Sequence, residues 1–298
     1  MRFLSRTVAI AAVIACGAVS TASAQHFDVL TTSLSGKLIN GGYDDGNNLS
    51  IAPLRIFEGE VISDGVPGVS PSTGAPYLAE APGDPGFRAI SQADLNDPTK
   101  MTPSAVYTAL PASTGFFFDF LPITIGADTR NLFYWDGTGP VDFAPVASSY
   151  ELTLNKFGGG GFAVTTDGDD AALVMGNNIQ TTTALGQIHA HLFAELDVDS
   201  GGALDPASGF YLFSLQFRMT GLTTSDPAYF VYGAVDPGSF LTGEALDEFL
   251  EDEFEPAHEL AVEWVNENLV AIPEPSSAVL VTGGVAVLGF MRRRRACG

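Results

Sequence analysis

Two histidines and a glutamate share a spacing that can do chemistry: His189-x-His191-x-x-x-Glu195. In an extended chain the side chains alternate with a period of two, so all three project from one face of a strand. Two imidazole nitrogens and a carboxylate oxygen suit a divalent transition metal, the one cofactor these residues offer. The same three residues also suit an ordinary solvated strand face near Arg218, and both readings stand at this point. His258 is a candidate distant ligand, although a polar position on a helix accounts for it equally well. Asp197, Asp199 and Asp205, with Gly202, occupy the first, third, ninth and sixth positions of a calcium loop. Gly201 stands at the fifth position and Ser208 replaces the closing glutamate, so an acidic connecting loop explains the run more simply. Thr166-Asp167-Gly168-Asp169-Asp170 reads as a turn, and Gly158 to Gly161 lack the Lys-Ser/Thr of a phosphate loop. Neither G-x-S-x-G nor H-E-x-x-H occurs. A glycosidase carboxylate pair would leave no linear trace, because its members meet only in the fold. No catalytic residue and no organic-cofactor site is therefore assigned.

The elements that must position these residues read as β-strands. Short apolar or alternating runs over 26–31, 54–62, 116–120, 132–135, 150–155, 161–166, 186–198, 209–220 and 228–233 are separated by turn clusters. This is the pattern of a mainly β, antiparallel sandwich or jelly-roll-like body. Within 187–198, Ile188, Ala190, Leu192, Ala194, Leu196 and Val198 share one face, and the histidines and Glu195 share the other. In 210–220 the apolar face is Tyr211, Phe213, Leu215, Phe217 and Met219. Matching the faces predicts a hairpin that opposes Ile188 to Met219 and His189 to Arg218. Residues 64–103, rich in Pro, Gly, Ser and Asp, read as a long loop. After Gly243 the chain turns acidic with helical spacing. Leu246, Phe249 and Leu250 share one stripe, Leu260, Ala261, Trp264 and Val265 another, and Pro256 marks a helix start.

The chain has 298 residues, 35 acidic and 13 basic, for a formal net charge of −22. Such a surface disfavours nucleic acid, whose phosphates need a basic face, and favours cations. The mean hydropathy of +0.20 is raised by the two ends. Residues 1–24 begin with Arg2 and Arg6, continue through an uncharged apolar run and end at Ala22-Ser23-Ala24. That order is a signal peptide, cut by signal peptidase after Ala24. Val13-Ile14-Ala15-Cys16 offers a second reading, lipidation at Cys16. At the other end Pro273-Glu274-Pro275 precedes an uncharged segment and Arg292, Arg293, Arg294 and Arg295. The segment 276–291 spans roughly 24 Å as a helix, against a hydrocarbon core of ~30 Å, which snorkelling arginines and local thinning can accommodate. The arginines place the tail inside and the body outside the inner membrane. Without Arg2, Arg6 and the four terminal arginines, seven basic residues face 35 acidic ones. Cys16 and Cys297 both lie in these end segments, so the body has no thiol for a disulfide or for catalysis.

Pro-Glu-Pro, a short Gly/Ala/Val/Leu segment and an arginine cluster, in that order, resemble the PEP-CTERM sorting signal. The resemblance implies an exported bacterial protein whose tail an exosortase recognises and removes. It further implies Pro273, Glu274 and Pro275 as the recognition element and Arg292 to Arg295 as the stop signal. The family is associated with extracellular polysaccharide. The body weakly resembles other uncharacterised β-rich PEP-CTERM bodies, on Arg55-Ile56-Phe57-Glu58-Gly59-Glu60, Asp84-Pro85-Gly86-Phe87 and Glu259-Leu260-Ala261-Val262-Glu263-Trp264. His189-x-His191-x-x-x-Glu195 resembles the first metal motif of cupins. Thr183 stands where that motif has a glycine, no second motif follows, and cupin ligands point into their barrel. The resulting division is a signal peptide at 1–24, a β body at 25–242, an acidic helical segment at 243–271 and a sorting signal with a transmembrane helix at 272–298. The expected role is structural or adhesive, in the cell envelope or extracellular matrix. A cupin-like metal protein or enzyme and a carbohydrate-binding module are the rivals.

Overall fold

The computed structural model describes residues 27–44, 49–50, 54–60, 85–97, 107–156, 162–198, 206–234, 252 and 254–270. The signal peptide, most of the 64–103 segment, the stripe at 246–250 and the sorting signal lie outside the described residues. So do Gly158 to Gly161 and most of the calcium-like loop.

The described chain is mainly β. In chain order the strands begin with β1 (Phe27–Leu34), β2 (Lys37–Asp44), β3 (Leu49–Ser50), β4 (Ile56–Glu60) and β5 (Gly86–Ala89). After a one-turn helix α1 (Gln92–Leu95) come β6 (Tyr107–Thr108), β7 (Gly115–Leu121), β8 (Ile123–Ile125), β9 (Asp128–Arg130) and β10 (Leu132–Trp135). Then follow β11 (Ala144–Pro145), β12 (Glu151–Lys156), β13 (Val164–Asp167), β14 (Val174–Thr181), β15 (Ile188–Asp197), β16 (Gly209–Met219) and β17 (Ala228–Ala234). Helix α2 (Glu255–Val265) runs on into a wider turn at Asn266–Val270.

The first sheet has the order β13-β12-β15-β5-β1-β2-β3, with β6 beside β1. The second has the order β11-β10-β16-β17-β4, with β7 on β16 and β14 on β7. β8 and β9 form a small separate hairpin. Two pairings, β1 with β5 and β17 with β4, are parallel, so the sheets are not purely antiparallel as expected. Parallel neighbours need a long crossover, and each of these pairs is far apart in sequence.

The expected hairpin between 187–198 and 210–220 does not form. β15 pairs with β12 and β5, whereas β16 pairs with β10, β7 and β17 in the other sheet. The facial alternation of both strands is correct, and that explains the error. Their apolar faces meet across the core between the two sheets, where periodicity places them as well as edge pairing would. Ile188, Ala190, Leu192, Ala194 and Leu196 come from one side, and Tyr211, Phe213, Leu215, Phe217 and Met219 from the other. Aromatic rings fill the space between: Phe213 lies 5.1 Å from Phe230 and 6.1 Å from Phe120, and Phe217 lies 5.3 Å from Phe116 and 5.5 Å from Phe87. Arg218, expected near His189, instead grips Asp119 of β7. Its Nε donates to both carboxylate oxygens at 3.1 and 2.8 Å, and its guanidinium lies over the Phe117 ring. Asp119 also accepts from the Gly176 N–H, which ties in β14.

The outer face of the second sheet is covered by α2. Pro256 sits in its first turn, where no intrahelical N–H is lost. Ala261 and Val265 are buried against Phe133, Trp135, Phe210, Leu212 and Val231, and Trp264 packs on Phe143. Leu260, expected on the buried stripe, is 51% exposed. The stripe is centred on Ala257, Ala261 and Val265, and a residue one position before Ala261 is turned about 100° away from it.

The two-sided burial of β16 sets an expected outcome. Phe213→Ala removes a ring touching Phe120, Phe230 and Tyr232 and should cost about 3–5 kcal/mol. Met175→Ala, at a position 69% exposed, should change stability by no more than about 0.5 kcal/mol. The midpoints of urea unfolding check both.

Candidate functional site

β15 is launched by a tight turn. The Thr183 hydroxyl accepts from the N–H groups of Leu185 and Gln187, and Gly186 has φ +76°, a conformation that favours glycine. A Cβ at Gly186 would also strike the Leu110 carbonyl. From there the strand alternates strictly. Ile188, Ala190 and Leu192 go to the core, and His189 and His191 go to the outer face, both exposed.

β15 changes partners halfway along. Leu192 to Asp197 pair with β12, while Ile188 to His191 pair with β5 on the other side. His191 stands opposite Gly86 and His189 opposite Arg88. β5 in turn runs parallel to β1, with Val29 beside Phe87 and Leu30 beside Arg88, which sets Asp28 next to Gly86. Three strands thus bring Asp28, Gly86 and His191 into one row, with His189 in the next.

The side chains converge. The Nε2 atoms of His189 and His191 are 3.1 Å apart, one donating and the other accepting, with ring centroids 5.0 Å apart at 61°. His189 Nε2 is 4.0 Å from Asp28 Oδ2, and Asp28 is buried although the imidazoles are exposed. Donor atoms of all three lie within 4.8 Å of one another. Gly86 makes this approach feasible, since a Cβ there would collide with Asp28 Oδ1 and come within 3.1 Å of His191 Nδ1.

Glu195 is not in this group. It lies on the same face opposite Thr153, about 13 Å along the strand from His191 at the usual rise per residue. Asp28 takes its place in the cluster, at a position no linear motif announces. It precedes the histidines by more than 150 residues and reaches them through β5, a strand inside the segment read as loop. Two imidazoles and a carboxylate in this arrangement can bind a transition-metal ion or pass a proton between rings.

His258 lies elsewhere, on α2 over the outer face of the second sheet. Its Nε2–H donates to the Val231 carbonyl at 2.9 Å, and its ring stacks on Phe210. The Thr166–Asp170 run is the expected turn: Asp167 Oδ1 accepts from the Asp169 and Asp170 N–H groups, and Asp170 accepts from Thr166 Oγ1. Among the described residues no helix is long and apolar enough to cross a membrane, and the segment 276–291 lies outside them.

Comparison with family models matches the PEP-CTERM protein-sorting motif at residues 271–295. The chain carries a PEP-CTERM sorting motif. The motif indicates an exported protein sorted to the cell envelope and processed by an exosortase. Neither the curated proteins nor the solved structures give a match to the chain. The PEP-CTERM motif begins one residue after Val270, which still packs on the cluster beneath α2.

His258 gives this packing a pH dependence. Burial against Phe210, Phe254 and the sheet holds its imidazole below the ordinary value, outweighing the pull of Glu58, the Val231 carbonyl and Glu259 in the other direction. Above about pH 6.5 the ring is neutral in folded and unfolded chains alike. As pH falls through 6.5 the unfolded chain takes up the proton first, so stability declines until the folded ring is also charged. The wild-type chain should therefore lose more stability between pH 7 and 5 than His258→Gln, which keeps a donor for Val231 and does not titrate. Urea unfolding followed by fluorescence of Trp135 and Trp264, the two tryptophans, measures the difference.

Proposed function

We propose that this is a structural or adhesive protein of the cell envelope or extracellular matrix, built on a sandwich-type β body and delivered there by its C-terminal signal. The observation that carries the proposal is the junction of a PEP-CTERM motif at 271–295 with a β body packed through Val270. In this reading the signal peptide directs export and 276–291 holds the chain in the inner membrane. An exosortase then recognises Pro273-Glu274-Pro275 and releases the body to the surface.

One feature favours this role over a cupin-like metal protein. A cupin-type centre needs ligands directed into the barrel, and His189 and His191 point away from the core shared by the two sheets.

Replacing Pro273-Glu274-Pro275 with three alanines should leave the body in the inner-membrane fraction, while the native chain moves to the surface or the medium. Fractionation with an antibody against the body reads the outcome, and cell adhesion should fall with the amount displayed. Equal surface delivery of the two chains would count against the sorting assignment. Unchanged adhesion after complete loss of surface protein would count against the adhesive role.

A further inference from the structure

We propose that Asp28, His189 and His191 form a surface site for a divalent first-row transition metal of the zinc and copper class. Two ligand nitrogens at zinc, each 2.0–2.1 Å from the ion at a tetrahedral angle, lie about 3.3 Å apart. The two Nε2 atoms here are 3.1 Å apart with their rings steeply inclined, so both lone pairs can address one point once each ring carries its proton on Nδ1. The carboxylate of Asp28, 4.0 Å from His189 Nε2, supplies the third donor and a negative charge beside it.

The surroundings are consistent with a binding role. Gly86 stands at the one position in the middle strand where a side chain would occupy the space of the Asp28 carboxylate. β5 and β15 hold Gly86 and His191 in register on a rigid sheet, so the ligands come from strands rather than loops. Such placement limits reorganisation on binding. Imidazole-rich donors select zinc, copper or nickel over calcium and magnesium, which prefer oxygen alone. Arg88, opposite His189, is the cationic residue of this row and opposes an ion there. Against it stand Asp28 on the site, Glu195 and Asp197 farther along the same face, and a net charge of −22 over the chain. With both imidazoles exposed, the remaining coordination positions face solvent and are open to water or to a donor from another molecule.

The test uses the full-length chain in detergent, without affinity histidines and stripped of metal, dialysed against micromolar zinc. Bound metal is counted by elemental analysis. One equivalent should bind. His189→Gln and His191→Gln should each weaken binding at least tenfold, with thermal unfolding unchanged because both positions are exposed. Glu195→Gln should stay within twofold of the native chain. Less than stoichiometric binding, binding that survives both histidine substitutions, or an equal loss with Glu195→Gln would each overturn the site. Gly86→Ala, if it melts like the native chain, should weaken binding as the histidine variants do. The site does not depend on the sorting reading, and loss of metal binding would leave the fractionation experiment unaffected.

Discussion

β16 has to be covered on both faces, and most of the architecture follows from that. Its eleven residues are buried along nearly the whole length, so one sheet-to-sheet contact cannot satisfy it. The inner face, from Tyr211 to Met219, is met by the first sheet and by the rings of β7 and β17. The outer face carries Phe210 and Leu212 and is met by α2. Fully burying each of these large apolar side chains is worth about 1.5–3 kcal/mol. Its edges are also filled. β10 and β7 divide one edge between them, and β17 takes the other.

The helix packs on this sheet and covers its outer face. Glu255–Val265 lies on the sheet through Ala261 and Val265, and Leu269 and Val270 of the following turn still touch the same cluster. Packing on the sheet is described as far as Val270, and the motif match begins at residue 271. The acidic character of the helix fits this position. Glu259 and Glu263 face outward while the apolar stripe faces the sheet, so one element closes the core and solvates the exterior.

Much of this was legible because periodicity reports burial directly. All nine strands read from the sequence exist, and the alternation in 188–198 correctly separates core from histidine face. Pairing was not legible, because period two says which residues share a face and nothing about which strand lies alongside. β15 and β16 show the consequence: matching faces implied a hairpin, and the structure stacks them across the core. β2 escaped because Gly41 and Gly42 dilute its apolar pattern, although Ser35-Gly36, both at positive φ, form the two-residue turn that announces it. β14 escaped because Gly176, Asn177 and Asn178 are poor strand formers, tolerated in a bulged strand whose one partner among the described residues is β7.

The histidine cluster shows most clearly where linear reading stops. His189 and His191 were found because two residues on one strand need only the strand. Asp28 was not found because its place depends on two further pairings, β15 with β5 and β5 with β1, the second of them parallel. Both run through four residues, Gly86–Ala89, within a segment whose Pro and Gly content speaks for loop. A glycine that weakens a strand by composition is the residue that lets a buried carboxylate lie against an imidazole across that strand. The local disadvantage and the site have the same cause. A short central strand can afford Gly86 because β1 and β15 flank it, and because Phe87 and Ala89 anchor its other face in the core.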